Sequence, residues 1–335
     1  MLKEALIYNK LKNKKVQCNL CNHTCIINNG KKGFCKVREN KNGILYTLIY
    51  NIVSCKSVDK IEKKPIFHFY PGSLSYSIGT IGCNFRCKHC QNFTISQIES
   101  INHYYTETPE NIIKNALKSN SKSISFTYNE PTIWHEFTKD CAKLAKKNGL
   151  ATIYVTNGYM TLDALKDIAP YLDVFRVDIK AFSEKFYKKI ASAKLSPVLE
   201  STKLAKELGM HIEIVYLIIP THNDSDYEIE MLSEWIYNNI GLNTPLHFTR
   251  FYPCYEMKTV MPTPIKTLEK AHEIAINKGL QFVYVGNVPN HPYENTFCPE
   301  CNAVLIKRSV YGAIEINITE NGECVYCKRK IPIML

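Results

Sequence analysis

The spacing of the cysteines restricts the fold of this 335-residue chain more than any other feature. Of its 14 cysteines, 11 fall into three groups with short gaps between neighbours. These are an N-terminal set (Cys18, Cys21, Cys25 and Cys35), a central triad (Cys83, Cys87 and Cys90) and a C-terminal set (Cys298, Cys301, Cys324 and Cys327). The remaining Cys55, Cys141 and Cys254 stand apart, and we expect them to bind no metal.

The sequence predicts a reducing environment for these cysteines. Residues 1–15 contain no apolar run long enough for a signal peptide. No segment approaches the roughly 18 apolar residues that a membrane span needs. We therefore expect a cytoplasmic protein that does not engage a membrane. Because disulfides are rare in such compartments, the grouped cysteines predict metal ligands.

The region between residues 74 and 287 alternates β-rich runs with amphipathic helical stretches. Seven runs predict strands, at 75–80, 123–128, 151–156, 173–180, 211–219, 245–252 and 281–286. Proline at the start and glycine past the end delimit the helices, as at Pro131 and Gly149. Such alternation predicts βαβ units around a parallel sheet. Since about 215 residues are few for a closed barrel of roughly 250, we predict an α/β fold with a partial (β/α)6 barrel.

Two short Cys-rich segments flank the predicted barrel. Residues 1–64 form a basic N-terminal lobe, residues 65–290 the barrel, and residues 291–335 a knuckle similar to a zinc ribbon. The N-terminal lobe carries 14 Lys and Arg against 4 Asp and Glu, which gives 10 of the net charge of +11. An acidic partner or a nucleic acid is one interpretation of this charge. The interpretation we favour is that it offsets thiolates on a bound metal and is otherwise solvated lysine.

The central triad has the spacing C-x3-C-x2-C and follows the first predicted strand directly. Three thiolates can bind three irons of a cubane cluster, which leaves the fourth iron without a protein ligand. Such an open position is where a reactant binds, as in catalytic zinc sites. The alternative is structural zinc or part of a four-Cys cluster. The isolation of the triad, and its place at a strand's C-terminal end, favour the open cluster.

The segment GTIGCNFRCKHCQN resembles the signature of the radical S-adenosylmethionine (SAM) superfamily, in which an aromatic-type residue, here His89, precedes the last cysteine. The resemblance covers almost the whole chain and includes the segments KKPIFHFYPGS, TYNEPTIW, VTNGY, VDIKAF, PLHFTRFYP and YVGN. The chain is most similar to the pyruvate formate-lyase activating-enzyme-like group. Within this group it resembles the radical SAM member of the AmmeMemoRadiSam system, which accompanies AMMECR-like and Memo-like proteins.

This resemblance implies a [4Fe–4S] cluster on the central triad that reductively cleaves SAM to a 5′-deoxyadenosyl radical, which abstracts hydrogen from a substrate. It also implies a low-potential electron donor. The substrate is open between a protein glycine, as in glycyl-radical enzyme activation, an AMMECR-like or Memo-like partner or small molecule, and RNA, which we do not favour. A different class remains as the alternative, namely a non-catalytic zinc-ribbon protein that binds nucleic acid or carries electrons.

The resemblance further implies SAM contacts near the C-terminal ends of the strands. His89 packs on the adenine, and Glu130 takes the place of a residue that binds the SAM amino group. Asn157 and Gly158 contact the cofactor, as do Asp178 and Lys180. His247 is a weak substitute for a histidine that the related enzymes carry after a proline.

Each of these residues also has a structural alternative. Glu130 can cap the helix that begins at Pro131. Gly158 can serve a strand-to-helix turn. Asp178 and Lys180 lie two apart on a predicted strand, so they share a face and can form a buried ion pair. His211 and Glu213 share a face in the same way, as His247 does with Thr249, and their side chains predict a polar barrel interior.

The two outer cysteine sets differ in how far their spacing determines the metal. The C-terminal set matches a structural C-x2-C…C-x2-C zinc site with no open coordination position. The N-terminal set has uneven spacing. It predicts either zinc or an auxiliary Fe–S cluster that relays electrons, and the spacing does not decide between them.

Overall fold

The computed structural model describes residues 2–101, 104–310 and 312–335. Its strands are β1 (Lys3–Glu4), β2 (Tyr8–Lys10), β3 (Val16–Cys18), β4 (Ile26–Ile27), β5 (Arg38–Lys41), β6 (Ile44–Thr47), β7 (Ile52–Val53), β8 (Cys55–Lys60), β9 (Leu74–Gly79), β10 (Tyr105–Thr106), β11 (Ser123–Phe126), β12 (Ala151–Thr156), β13 (Val174–Asp178), β14 (His211–Ile218), β15 (Leu246–Arg250), β16 (Val283–Gly286), β17 (Thr296–Phe297), β18 (Val304–Ser309) and β19 (Gly312–Ile316). Its α-helices are α1 (Phe93–Ser96), α2 (Pro109–Lys118), α3 (His135–Lys147), α4 (Leu162–Ile168), α5 (Glu184–Phe186), α6 (Ser196–Glu207), α7 (Asp226–Asn239) and α8 (Ile265–Asn277). Shorter 3-10 turns occur at Lys12–Lys14, Ile61–Lys63, Pro131–Trp134, Ala169–Tyr171 and Pro292–Glu294, and a π-helical turn at Tyr187–Ala191.

An eight-stranded sheet with the order β16-β15-β14-β13-β12-β11-β9-β8 forms the centre of the molecule. The seven strands from β9 to β16 that belong to it are parallel, and they coincide with the seven predicted runs. The α/β prediction is therefore confirmed, with seven parallel strands in place of the six proposed. Strand β8 adds an antiparallel edge, although it lies within residues 1–64. The end strands β8 and β16 do not pair among the described residues, so the sheet remains an open barrel.

The helices between the parallel strands lie on one face of the sheet. Parallel strands that are consecutive in the sequence are neighbours in the sheet. Because connections between parallel strands are right-handed, all the connecting helices then lie on the same side. The predicted helix boundary at Pro131 is a 3-10 turn that continues into α3, and Gly149 follows α3 with φ +71°. None of the helices in the described part of the chain is long and apolar enough to cross a membrane.

The lower part of the concave face is closed by a network around Glu213. This buried carboxylate accepts hydrogen bonds from the amides of Phe67 and His68 and from the rings of His211 and His247, at 2.7–2.9 Å. Burial alone would raise the pKa of Glu213, but the hydrogen bonds from both histidines outweigh it and hold the pKa well below its ordinary value. Of the polar side chains that the sequence predicted for the barrel interior, His211, Glu213 and His247 therefore form a floor, whereas Thr249 is not part of this network.

The C-terminal lobe packs against the underside of this floor. Strands β17, β18 and β19 form its sheet, and its buried residues share one apolar cluster with Phe67, Phe282 and Tyr284 of the central region. Arg308 stacks on Phe67 at 4.0 Å from the ring centroid and donates to the Phe67 carbonyl at 2.9 Å. The amide of Met334 donates to the carbonyl of His68 at 2.9 Å. The lobe thus shares its core with the central region.

The N-terminal lobe joins the central region through a buried ion pair. Its two small sheets have the orders β1-β6-β5 and β2-β3-β4. Arg38 on β5 donates from Nη1 to Glu136 Oε1 at 3.0 Å and from Nη2 to Oε2 at 2.6 Å. Both side chains are almost fully buried. Removal of either partner would leave an uncompensated buried charge, so the pair keeps the lobe against helix α3.

Gly82 marks a second close contact between the lobe and the central region. It precedes Cys83 and has φ +83°. A Cβ at this position would lie 2.7 Å from Val37 Cγ1 and 3.1 Å from the Cys35 carbonyl oxygen. Only glycine therefore lets the lobe and the triad loop approach each other this closely.

We predict that Gly82→Ala lowers the free energy of unfolding by about 2–5 kcal/mol, from backbone strain and overpacking together. Gly209→Ala is the matched control, because Gly209 has φ +84° but no atom within 4 Å of the added Cβ. Gly209→Ala should lower the free energy of unfolding by the backbone strain alone, about 1–2 kcal/mol. Urea unfolding of both variants measures the difference. Equal losses in the two variants would show that the contact at Gly82 is not tight.

Candidate active site

A cavity of about 350 Å³ lies at the C-terminal ends of the parallel strands. Its wall combines thiols, imidazole, amides and charged groups from most strands of the sheet. It includes Cys83, Cys87, His89, Cys90, Glu130, Asn157, Asp178 and Lys180 among the predicted site residues, together with Asp59, Lys64, Ser77, Tyr128, Arg176 and Thr249. The volume is in the range of small-ligand pockets, and its polar groups converge from separate strands.

The loop that carries the central triad is held by backbone hydrogen bonds on two sides. The amides of Arg86 and Lys88 donate to carbonyls in the π-helical turn Tyr187–Ala191, at 2.9 and 3.1 Å. The amide of Gly82 donates to the carbonyl of Ile95 at 2.7 Å. These contacts fix the path of the loop, so the three thiols reach the cavity wall from a defined backbone.

The thiols of the triad fit an iron–sulfur cluster by their chemistry and their surroundings. Burial raises the pKa of the Cys87 thiol to about 12, so this sulfur stays protonated unless a metal ion replaces the proton. Phe85 donates its amide to Cys83 Sγ at 3.3 Å, and the Asn157 side-chain amide approaches that sulfur at 4.0 Å. Three soft ligands on the wall of a polar cavity are the donor set of a cluster with one open iron.

His89 lies beside the triad as a buried, uncharged ring. It lines the cavity, and its Nδ1 atom has no hydrogen-bond partner in the described part of the chain. Burial lowers the pKa of His89 to about 3, so the ring is neutral at physiological pH. A neutral planar ring on the wall suits stacking against an aromatic ligand.

Strand β13 and the segment directly after it present three charges to the cavity. Arg176 Nη1 lies 2.6 Å from Asp178 Oδ1, and Lys180 Nζ lies 3.2 Å from Asp178 Oδ2. Burial alone would raise the pKa of Asp178, but the two cations outweigh it and hold the pKa below its ordinary value. The sequence predicted the pair Asp178 and Lys180 and missed Arg176. The same alternation places Arg176 on the shared face and was the available indication.

Glu130 acts as a cap and a clamp between two strand ends. Its Oε1 atom accepts from the Thr132 amide at 3.0 Å and from the hydroxyls of Thr132 and Thr156 at 2.6 and 2.7 Å. Its Oε2 atom accepts from the Asn157 amide at 2.7 Å. Burial raises the pKa of Glu130, and these hydrogen bonds offset part of the rise. The structure thus shows the capping role that the sequence left open.

Asn157 reaches the cavity, whereas Gly158 and His247 do not line it. The Asn157 side chain donates to Asn84 Oδ1 at 2.8 Å and so braces the triad loop. Gly158 has φ +71°, and a Cβ there would lie 3.0 Å from Val177 Cγ2, so it serves a tight turn. His247 is buried in the floor, stacked on Tyr284 at 5.0 Å and paired with Glu213.

Neither of the two outer cysteine sets lines this cavity. The sulfur atoms of the C-terminal set all lie within 4.8 Å of one another. The N-terminal set lines a separate, apolar cavity within the N-terminal lobe. Cys254, which stood apart in the sequence, donates to the Cys90 carbonyl at 3.5 Å and so supports the triad loop.

Lys64 is a cavity residue that the sequence analysis missed. Its side chain is buried, and no described group lies within hydrogen-bond distance of Nζ. Burial lowers the pKa of Lys64 to about 8. An unpartnered buried amine is costly for folding, so its place on the cavity wall indicates a functional group. In the sequence, the only indication of this role was the position of Lys64 in the segment Lys63-Lys64-Pro65, directly before the predicted barrel.

Comparison with known proteins agrees with this geometry. The family model described as "Radical SAM superfamily" matches residues 77–232. An uncharacterized protein of Methanocaldococcus jannaschii is 46% identical over 336 residues, which cover 100% of both chains. The pyruvate formate-lyase-activating enzyme of Clostridium pasteurianum is 26% identical over 208 residues, or 56% of this chain and 86% of that enzyme.

Solved structures share the fold. Streptococcus suis SuiB bound to S-adenosylmethionine has a TM-score of 0.53 at 14% identity, over 72% of this chain and 56% of SuiB. SuiB bound to the precursor peptide SuiA has a TM-score of 0.50 at 14% identity, over 68% of this chain and 51% of SuiB. At this identity the likeness shows a common fold.

We predict that Lys64→Met raises the free energy of unfolding at pH 7 by up to about 3 kcal/mol, because the buried amine is charged there at a cost. Between pH 8 and 10.5 the unfolded chain binds more protons at Lys64 than the folded chain, so the wild type gains stability and the difference shrinks. Lys63→Met is the control, since the Lys63 amine is exposed and pairs with Asp59. Urea unfolding at pH 7 and at pH 10 measures the difference in the free energy of unfolding between each variant and the wild type. A pH-independent difference would contradict the burial argument.

Proposed function

This chain belongs to the radical SAM superfamily and is an enzyme, and on that premise we propose that it cleaves SAM reductively to abstract hydrogen from a substrate. The alternative of a non-catalytic zinc-ribbon protein is therefore excluded by the family. The observation that carries the proposal is the single cavity that joins the central triad, the neutral His89 ring and the charged face of β13.

Different residues of the cavity would bind the cluster and the cofactor. Cys83, Cys87 and Cys90 would hold a [4Fe–4S] cluster and leave one iron for the amino and carboxylate groups of SAM. When bound, the cluster and SAM supply a one-electron cleavage of the C5′–S bond that yields a 5′-deoxyadenosyl radical. The protein binds, orients and shields these groups.

The cavity residues match the chemical groups of SAM. His89 offers a neutral ring for the adenine. Asp178 offers a carboxylate for hydroxyl or ammonium groups, and Lys180 an ammonium for a carboxylate. Glu130 holds the end of β12 in place and so positions Asn157 and the triad loop. Its Oε2 atom accepts a single hydrogen bond among the described residues, so it keeps an acceptor site on the cavity wall for the SAM amino group.

We further propose that the substrate is a polypeptide. The similar enzyme of Clostridium pasteurianum is named for its action on pyruvate formate-lyase, and SuiB was solved with a precursor peptide. For this chain the candidates are a glycyl-radical enzyme and an AMMECR-like or Memo-like partner. Because the cleavage consumes an electron, a low-potential electron donor must also bind.

The C-terminal set is proposed to hold a structural zinc ion. Cys298 Sγ lies 3.5 Å from Cys327 Sγ, and Cys301 Sγ lies 3.8 Å from Cys324 Sγ. Four sulfurs at about 2.3 Å from one zinc ion stand about 3.8 Å apart, so the set fits a tetrahedral site without an open position. The ion would fold the lobe that packs against Phe67, Phe282 and Tyr284 beneath the floor.

We expect Cys87→Ala to abolish the formation of 5′-deoxyadenosine, because two thiolates do not hold a cluster that also binds SAM. The assay is anaerobic reconstitution, reduction with dithionite and quantification of 5′-deoxyadenosine. Cys55→Ala is the control, since Cys55 lies on β8 outside the cavity. It should retain product formation. Product at the wild-type level from Cys87→Ala would overturn the proposed function.

Asp178→Ala should keep the cluster but weaken SAM binding about tenfold or more, because Arg176 and Lys180 lose the charge that orients them. Asp173→Ala is a matched control, as Asp173 is equally exposed and also pairs with a lysine, Lys146, but lies at the opposite end of β13. Both variants should lose about 1–3 kcal/mol of stability. Titration of SAM into the reconstituted proteins distinguishes the two variants, because only Asp178→Ala should show a weaker affinity for SAM. Unchanged affinity in Asp178→Ala would make the charged group purely structural.

A further inference from the structure

The N-terminal set of cysteines converges on one apolar cavity. Cys18 ends strand β3, Cys25 precedes β4, and Cys35 lies in a turn before β5. Cys21 forms an isolated antiparallel β-bridge with Met160. All four side chains line the cavity together with Leu20, Ile27, Phe34 and Ile133, and all four are free thiols. Four convergent thiols without disulfides are a metal-binding arrangement.

The sulfur spacing within this molecule distinguishes two kinds of site. The sulfurs of the C-terminal set lie within 4.8 Å of one another, as a single zinc ion requires. Among the described residues, neither the N-terminal set nor the central triad forms such a close group. In a cubane each thiolate binds a different iron, so the sulfurs stand farther apart. By this criterion the N-terminal set resembles the triad.

The polar groups around the N-terminal cavity suit a cluster that carries negative charge. Arg38 is buried and lines the cavity. Both terminal nitrogens of Arg38 donate to Glu136, whereas its buried Nε has no partner. The Phe34 amide donates to Cys25 Sγ at 3.5 Å. A spare N–H donor and an N–H···S contact are the interactions that stabilise cluster sulfurs.

The N-terminal cavity lies directly beside the triad loop. The Cys35 carbonyl oxygen would be 3.1 Å from a Cβ at Gly82, the residue before Cys83. His23 Nε2 lies 2.6 Å from the Asn84 carbonyl oxygen. His23 and Asn84 belong to the two cysteine loops, so the loops are in direct contact.

We propose that Cys18, Cys21, Cys25 and Cys35 bind a second [4Fe–4S] cluster, placed beside the first so that it can pass single electrons to it. A reduced flavin or iron–sulfur protein gives one electron and takes the second cluster from the 2+ to the 1+ state. Transfer of that electron to the cluster at the triad restores the 2+ state, and no atoms move. The relay role rests on the proposed function, because it needs the cluster at the triad, whereas the presence of a cluster on the N-terminal set does not depend on it.

The test is metal analysis after anaerobic reconstitution with iron, sulfide and zinc all present. The full chain should contain about eight irons, about eight sulfides and about one zinc. Cys21→Ala/Cys25→Ala should lose about half of the iron and keep zinc. Cys301→Ala/Cys324→Ala is the matched control and should lose zinc while keeping the iron. If Cys21→Ala/Cys25→Ala loses zinc and keeps its iron, the N-terminal set is a zinc site and the proposal fails.

A second variant leaves the N-terminal set intact and guards against misfolding of the first. Cys83→Ala/Cys87→Ala should keep about four irons and, after reduction with dithionite, an electron paramagnetic resonance signal that SAM does not change. Absence of iron from this variant would overturn the proposal, whereas loss of 5′-deoxyadenosine formation in it tests only the proposed function. The reduced full chain should show spin–spin broadening beyond the sum of the two variant spectra. A simple sum would contradict the adjacent placement.

Discussion

Glu213 is a buried carboxylate on which the shape of the cavity depends. Its two oxygens accept hydrogen bonds from the segment at Phe67 and His68 and from histidines on β14 and β15. A charge so deep in the protein is tolerated only because every donor faces it. The network closes the lower half of the concave face. The ligand-binding space is thereby restricted to the strand ends, where the triad and the β13 charges lie.

Above this floor, the site is assembled from segments that are far apart in sequence. The triad loop rests on the π-helical turn Tyr187–Ala191, and Asn157 braces it from β12. The N-terminal lobe adds the contacts at Gly82 and the ion pair of Arg38 with Glu136. A change in any of these supports would move the thiols relative to β13, so catalysis depends on residues that touch no reactant.

The sequence predicted the seven parallel strands because β-branched runs and Pro–Gly boundaries are local features. It predicted an open cluster at the triad because the C-x3-C-x2-C spacing, the isolation of these cysteines and their place after a strand are all visible in the sequence. The sequence does not show whether a residue on the inner face lies in the cavity or in the packed floor. The alternation of side chains along β15 places His247 on the inner face of the sheet. It does not show how far along the strand the cavity extends, and the segment at Phe67 fills the inner face beside His247. Lys64 lies in the segment between β8 and β9, and its burial depends on tertiary packing that no local pattern predicts.

The backbone hydrogen bonds of the triad loop have a further consequence. The amides of Gly82, Arg86 and Lys88 all find carbonyl partners within the protein, and the Lys88 carbonyl accepts from the Glu256 amide at 2.9 Å. The loop therefore owes its path to the polypeptide and not to iron. If a cluster at the triad were lost to oxygen, these hydrogen bonds would keep the loop in its conformation, so that a new cluster could be built without refolding of the chain.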